Sequence, residues 1–276
     1  MCGIVGAVFK KNVAVNAKIK LLNKSLDLIR YRGPDNKGVY MWNNVGLGHV
    51  RLSIIDVTKF GHQPMASSND ENVISYNGEV YNYRELKKDS NLVNEVYTSD
   101  TDTEVILKGF NFYGTEFFKK LNGMFAFVLL DKISNKLFIV RDRFGVKPLH
   151  YYENEKGIFF GSEIKSILCL VEERVSMNTD VLSEWSYYGN SLGENTFYKG
   201  IKKLLPGHFL EIDLNTLKLD CHSYWQPESL ALKNITNSGG VDTIVQNVKE
   251  LLENSVKRQL VSDVPVGVFL SGGPFI

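Results

Sequence analysis

The chain has 276 residues, long for one domain and short for two full ones. Hydrophobic residues make up 43% and charged residues 23%, the proportions of a globular protein with a sizeable core. A net charge of +1 gives no electrostatic case for binding nucleic acid or an anionic membrane, and no apolar run approaches the ~20 residues a membrane span needs.

The N-terminus, MCGIVGAVFKK, lacks a basic n-region and a small-residue cleavage site, so it is not a secretory signal. Glycine stands at position 3 rather than 2, and the myristoylation pattern fails. Three cysteines, Cys2, Cys169 and Cys221, match no metal spacing and are too few and too odd for a disulfide framework. A reducing cytoplasm is the expected setting, and no metal site is expected. Cys169, inside SILCLV, reads as a buried small hydrophobe, and Cys221 carries no assigned role.

In chain order, short β-like runs dominate the first half. They fall at 4–9, at 45–55 broken by glycines, at 73–76, and at 124–130 with the dense run FAFVLL. Two more, 137–140 and 150–152, flank the turn RDRFGVKP. Helices interleave. Ile19, Leu22, Leu26 and Ile29 recur at three- and four-residue steps and predict an amphipathic helix over 17–29, capped by Asn16 and stopped by the RGPD turn. A second helix starts near Asp102 with Val105, Ile106, Phe110 and Tyr113 inward, and a third covers 179–188. Strand-rich runs with a few helices predict a layered α+β domain with two packed sheets covered by helices.

Composition shifts near residue 228. Residues 229–242 (SLALKNITNSGGVD) read as a linker or exposed loop. A helix follows over about 241–260, with Ile244, Val248, Leu251, Leu252, Ser255 and Val256 on one face. The apolar run VPVGVFLSGG comes next. A strand running through Leu270 into the Ser271-Gly272-Gly273 turn is a nucleotide-binding layout, with backbone amides placed to cradle phosphate.

Cys2 is the candidate nucleophile. Initiator methionine is usually removed before small residues, which would give Cys2 a free α-amine. A thiol titrates near pH ~8.5 and an α-amine near ~7.7–8.0, so the amine is a competent base on the same residue. An isolated Met-Cys start would carry little weight. Other candidates also have bland readings when taken alone. Asn77-Gly78 is a common hairpin turn, RGPD is a helix stop, Asp102 is a helix N-cap, and Arg51 is a solvated strand residue. Arg141, Asp142 and Arg143 read as a charged turn with a structural ion-pair role. The histidines at 49, 62, 150, 208 and 222 are scattered, and none is assigned to catalysis.

Eight motifs change these odds: MCGIVGAVF, YRGPDNKG, GHVRLSIID, YNGEVYNYREL, SDTDTEVIL, NGMFAFVLLD, RDRFGVKPLHYY and SDVPVGVFLSGG, in this order. Together they closely resemble the glutamine-hydrolysing asparagine synthase family across essentially the whole chain. The resemblance implies an N-terminal nucleophile hydrolase domain with a four-layer αββα sandwich over 2–210. A sheet end and linker over 211–240 would follow, then the start of an α/β ATP-pyrophosphatase-like domain over 241–276. It implies that Cys2 attacks the side-chain amide of glutamine to form a glutamyl thioester.

By the same resemblance, Arg51 binds the glutamine α-carboxylate, as suits a planar guanidinium. The segment Arg51, Leu52, Ser53, Ile54 and Ile55 lines the pocket. Asn77 and Gly78 form the oxyanion hole, Glu79 and Asp102 accept the substrate ammonium, and Arg32 belongs to a loop that closes over the substrate. The glutaminase step is expected to need no cofactor; ATP and Mg²⁺ serve the family's second domain.

The chain departs from the family after the glycines. The family continues with Leu-Asp-Ser, where this sequence reads Pro274-Phe275-Ile276, and proline removes a backbone N–H that a phosphate turn would use. This leads to the expectation of a truncated member in which residues 241–273 are poorly packed, with the ATP-dependent step absent. A catalytically silent ammonia-delivery module, a homodimer or a separate synthetase subunit are the alternatives for partners. A sugar carboxylate is the alternative to aspartate as acceptor.

Overall fold

The computed structural model describes residues 1–10, 13–227 and 240–267. In chain order the elements are β1 (Gly3–Phe9), α1 (Val15–Asp27), β2 (Asn36–Trp42), β3 (Val45–Arg51), β4 (Met65–Ala66), β5 (Asn72–Val80), α2 (Tyr83–Leu86) and α3 (Asp102–Tyr113). They continue with β6 (Gly123–Asp131), β7 (Lys136–Arg141), β8 (His150–Asn154), β9 (Gly157–Gly161), α4 (Ile164–Val171) and α5 (Asp180–Tyr188). The last are β10 (Lys202–Lys203), β11 (His208–Asp213), β12 (Leu219–Ser223) and α6 (Val241–Gln259).

The strands form two six-stranded sheets, ordered β10-β8-β9-β1-β3-β2 and β12-β11-β7-β6-β5-β4, with every paired neighbour antiparallel. Alternation along the strands explains how they stack, because successive side chains point to opposite faces. Ile4 and Val8 of β1 face the second sheet and pack with Leu47, Val128, Ile139 and Leu210. Val5, Ala7 and Phe9 face the other way, onto Leu22 and Leu26 of α1 and Ile167 and Leu170 of α4. In the second sheet, Tyr76, Phe125, Phe127 and Phe138 turn outward to Val105, Ile106 and Phe110 of α3 and to Phe118. The result is a helix–sheet–sheet–helix sandwich, the layer order that the family resemblance implies and that the strand and helix pattern alone left open.

Phe118 is fully buried and sits at the middle of the outer aromatic layer, against Phe110, Phe127, Phe209 and Tyr224. Truncating such a residue to alanine costs about 3–5 kcal/mol, so this layer anchors α3 firmly to the sheet.

Several local expectations need correction. The glycines of GLGH do not break β3. A Cβ at Gly46 would stand 2.6 Å from Leu22 Cδ1 and one at Gly48 3.0 Å from Leu26 Cδ1, so these glycines let α1 lie close on an unbroken strand. That strand ends at Arg51, and residues 52–55 leave the sheet. Asn77-Gly78 is not a turn, because β5 runs through it, pairing Asn77 with Ala126 and Gly78 with Phe125. Asn16 does not cap α1; the helix begins two residues earlier and its Ala14 cap makes no side-chain bond. Nor does Asp102 cap α3. Thr101 does, accepting from the Glu104 N–H at 3.2 Å, which frees the Asp102 carboxylate to turn toward the sheet. Cys169 is partly rather than fully buried.

Residues 211–223, expected as a sheet end, supply the rest of β11 and β12. The linker expected over 229–242 lies largely outside the described residues, as do Leu270, Ser271, Gly272 and Gly273. α6 forms as expected and has no buried residue; Val241, Val245, Leu251 and Leu252 are all well exposed. The stretch after it is tied back to the body. Asp263 accepts from the Asp56 N–H at 2.7 Å and donates its own N–H to the Ile54 carbonyl at 3.0 Å.

Candidate active site

Cys2 stands immediately before β1, an interior strand of the first sheet. Its thiol meets one peptide partner twice. The Leu52 N–H donates to Sγ at 3.4 Å, and Sγ lies 3.5 Å from the Leu52 carbonyl as donor. Burial pushes the thiol above its usual range, against the opposing pull of the Leu52 N–H, the chain's amino group and Arg51. The resting group is therefore the thiol, and it needs a base to become a nucleophile. The α-amine of the unprocessed chain, on Met1, lines the same pocket, and burial holds it below its ordinary value.

Around this sulfur the fold assembles one pocket from distant segments. Arg51, Leu52, Ile54 and Ile55 come from the end of β3 and the loop after it. Asn77, Gly78 and Glu79 come from β5, and Asp102 from the first turn of α3. These eight sequence candidates meet Cys2 there. Ser53 does not line the pocket; its N–H donates to Asp35 at 2.8 Å. Arg32 does not line it either. Its Nε donates to the Cys2 carbonyl at 3.0 Å and its Nη1 to Glu163 at 2.9 Å, so it grips the nucleophile's backbone from outside the pocket.

Asn77 is 1% exposed, and its Nδ2 has no hydrogen-bond partner. An unpaired buried donor costs about 1–3 kcal/mol, and a site that retains one has a use for it. Gly78 is confined by the next strand: a Cβ there would lie 2.2 Å from the Met124 carbonyl oxygen. Only glycine brings that stretch of backbone into the pocket at this distance from β6.

Arg51 is 6% exposed, and its guanidinium is ringed by backbone carbonyls. Nη1 donates to Thr58 at 3.0 Å, and Nη2 donates to Ile55 at 3.2 Å and Asp56 at 2.5 Å. It therefore shapes the 52–58 loop as well as presenting charge. Gly61 makes room for it, since a Cβ there would fall 2.0 Å from Nη2.

The acidic side of the pocket is built from two carboxylates. Asp102 is buried and accepts from the Tyr76 hydroxyl at 2.5 Å and the Val80 N–H at 2.9 Å, yet burial still lifts it above the ordinary carboxylate range. Glu79 is also raised, first by burial and then by Asp102, while Lys147 pulls it down.

Sequence reasoning missed Gln63, Tyr76 and Lys147. Gln63 accepts from the Tyr76 N–H at 2.6 Å and reaches Thr103 Oγ1 at 3.4 Å, bracing the pocket wall. Lys147 lies inside the motif RDRFGVKPLHYY, and that motif was read only for its charged turn. The turn is structural, though not through an ion pair. Asp142 accepts from the N–H groups of Phe125, Phe144, Val146 and Lys147 at 3.0–3.2 Å. Arg141 donates to the carbonyls of Gly145, Lys147 and Leu204 at 2.6–2.9 Å. Among the described residues no cluster of three His, Cys, Asp or Glu could hold a metal, and no helix is long and apolar enough to cross a membrane.

A cysteine at the second position, opening a central strand of a double antiparallel sheet between helical layers, defines an N-terminal nucleophile hydrolase architecture of the class II amidotransferase type. The chain belongs to the glutamine amidotransferase domain family, whose profile matches residues 1–225; the asparagine synthase profile matches residues 247–273. The family's substrate is glutamine.

Among curated relatives, the chain is 37% identical over 293 residues to a Methanocaldococcus jannaschii protein that carries the name asparagine synthetase (glutamine-hydrolyzing) 2. That match covers 99% of this chain and 55% of the relative. It is 39% identical to asparagine synthetase (glutamine-hydrolyzing) 3 of Bacillus subtilis, over 99% of this chain and 44% of that protein. The chain thus spans about half the length of the curated relatives it matches. Among solved structures, a glutamine phosphoribosylpyrophosphate amidotransferase from B. subtilis, complexed with ADP and GMP, superimposes with a TM-score of 0.58. That match has 16% identity and covers 82% of this chain and 50% of the other, a likeness of fold.

Proposed function

We propose that this chain hydrolyses glutamine to glutamate and ammonia, with Cys2 as nucleophile once Met1 is removed. The α-amine takes the thiol proton, and the thiolate attacks the side-chain carbonyl carbon of glutamine. The Asn77 amide and the Gly78 N–H receive the oxyanion. Collapse of the tetrahedral intermediate breaks the C–N bond; the protonated amine gives its proton to the departing nitrogen, and ammonia leaves a glutamyl thioester. Water, deprotonated by the same amine, then releases glutamate.

Arg51 takes the substrate α-carboxylate, and Glu79 and Asp102 take its ammonium. The step uses groups of this chain alone. The observation that carries the reading is the pairing, in one pocket, of the Cys2 sulfur with a buried Asn77 Nδ2 that has no protein partner. Removing one oxyanion donor costs a typical enzyme about 10²–10³ in rate, which is the use such a donor would have here.

The names of the relatives support a destination for the ammonia: ATP-dependent amidation of a carboxylate such as aspartate, carried out by a synthetase part joined to or associated with this domain. The exposed apolar face of α6 supports such an association.

The test is glutamate release from glutamine by the wild type and Cys2→Ala, with N-terminal mass analysis of both. Release by the processed wild type and none by the variant is the expected result. Equal release by the two would overturn the reading.

A further inference from the structure

The pocket holds one cation that the scheme above leaves unused. Lys147 is 6% exposed, its side chain lines the cavity that contains Cys2, and its Nζ makes no hydrogen bond or ion pair among the described residues. A buried ammonium without a carboxylate is costly, and a fold keeps one where its charge is used.

The placement of Lys147 is built rather than incidental. Its N–H is held by the Asp142 carboxylate at 3.0 Å and its carbonyl by Arg141 Nε at 2.9 Å. Asp142 is fully buried and collects three further backbone N–H groups of β6 and the same loop, so the crossover from β7 to β8 is rigid where it delivers the side chain. Val146, the residue before it, points outward and is 57% exposed, while Lys147 turns in.

We infer that Lys147 is an electrostatic positioning residue of the glutaminase site, its ammonium held beside Cys2 and the chain's α-amine so as to stabilise the thiolate and keep the amine unprotonated. The inference rests on the reading of Cys2 as nucleophile. The groups facing Lys147 are consistent with it. Glu79 from β5 and Cys2 favour its charged form, Arg32 opposes it, and Asp142 favours it; burial outweighs them and lowers its proton affinity. In the unprocessed chain burial holds the proton affinity of the Met1 α-amine down, and Lys147 and Arg32 lower it further against Cys2 and Asp35; removal of Met1 puts the Cys2 amine one residue along the same pocket wall. On the thiol itself burial acts most strongly and raises it; the Leu52 N–H, the amino group of the unprocessed chain and Arg51 lower it, and Asp102 raises it. A free amine and a thiolate are the two states that the first proton transfer must produce, and a nearby cation favours both.

The test is the pH dependence of Cys2 alkylation by iodoacetamide, followed by mass analysis of the N-terminal peptide, in the processed wild type, Lys147→Met and Lys147→Arg. The expected result is an alkylation rate on the order of tenfold lower at pH 7 in Lys147→Met, with its pH profile displaced upward by about one unit, and recovery toward wild type in Lys147→Arg. A Lys147→Met profile that superimposes on the wild type would overturn the inference. Lys147→Gln supplies the same comparison should the methionine variant fail to fold. Alkylation needs no glutamine turnover. A displaced profile in a protein that releases no glutamate would therefore sink the proposed function and leave the electrostatic role standing, whereas an undisplaced profile in an active enzyme does the reverse.

Discussion

The Tyr76 hydroxyl donates to Asp102 Oδ2 at 2.5 Å, tying the middle of β5 to the first turn of α3 beneath the pocket. Both residues are buried, at 3% and 4% exposure, and the hydroxyl leads the donors, with the backbone N–H groups of Val80, Thr103 and Asp102, that partly offset the cost of burying that carboxylate. Tyr76→Phe removes it. The expected loss is about 1–3 kcal/mol of stability by denaturant titration, with a higher KM for glutamine. Asp102→Asn separates the two effects. The carboxyl is raised above its unfolded value, so folding is favoured below that value and the advantage is lost as pH rises toward the folded one. At neutral pH the aspartate is thus a burden, and the asparagine variant should be as stable as wild type or more so while its KM for glutamine rises at least tenfold.

Asn77→Ala should behave differently. Its Nδ2 has no partner to strand, so the fold loses little, and a midpoint of unfolding within a few degrees of wild type is expected. The kcat for glutamate release should fall by about 10²–10³, with KM little changed, because the lost interaction is formed only with the oxyanion. A fall in KM-dependent binding with kcat intact would contradict that role.

Gly61→Ala tests whether Arg51 must stay where it is. The added methyl would meet Nη2 at 2.0 Å and the Asp56 carbonyl oxygen at 2.9 Å, so the guanidinium or the loop must move. Overpacking of this kind costs about 1–3 kcal/mol. Glutamine titrations should show weaker binding than in the wild type, and an unchanged KM would separate the loop's shape from substrate recognition.

His49 carries a pH prediction. It is buried between the sheets with Nε2 on the Tyr76 carbonyl at 2.9 Å, and burial lowers it from 6.5 to about 3. Between those values the unfolded chain binds a proton that the folded chain refuses. The stability it contributes is therefore fully present above pH 6.5 and is lost as pH falls toward about 3. The loss is on the order of a few kcal/mol. Denaturant midpoints measured from pH 7 to pH 4 should fall more steeply for wild type than for His49→Gln, whose amide does not titrate.

How much of this was legible beforehand depends on the kind of residue. Cys2 could be named from its thiol and prospective α-amine, whereas Arg51, Asn77 and Asp102 could be named only because the eight ordered motifs resemble a known family. The short apolar runs at 4–9 and 124–130 predicted strands, and the structure buries Ile4 and Val8 on one face and Val5 and Ala7 on the other, as the period of two requires. Asn77-Gly78 was read locally as a turn, and only pairing with β6 made it strand. Glycines 46 and 48 looked like breaks because α1, which needs them, is distant in sequence. Lys147 gave no local signal at all; lysine before proline in a loop is ordinary on a surface.

The sequence by itself determined the chemistry on offer: a cysteine at the second position, a strand-rich sandwich, and the order in which the pocket's residues arrive along the chain. Tertiary structure alone decided which of them meet. Arg32 came to hold the nucleophile's carbonyl, Ser53 turned to Asp35, and Lys147 entered the cavity. The physical reason is that these outcomes depend on burial and on contacts between segments far apart in the chain, as far as Cys2 before β1 and Lys147 in the loop after β7. Such contacts exist only once both sheets have closed on each other.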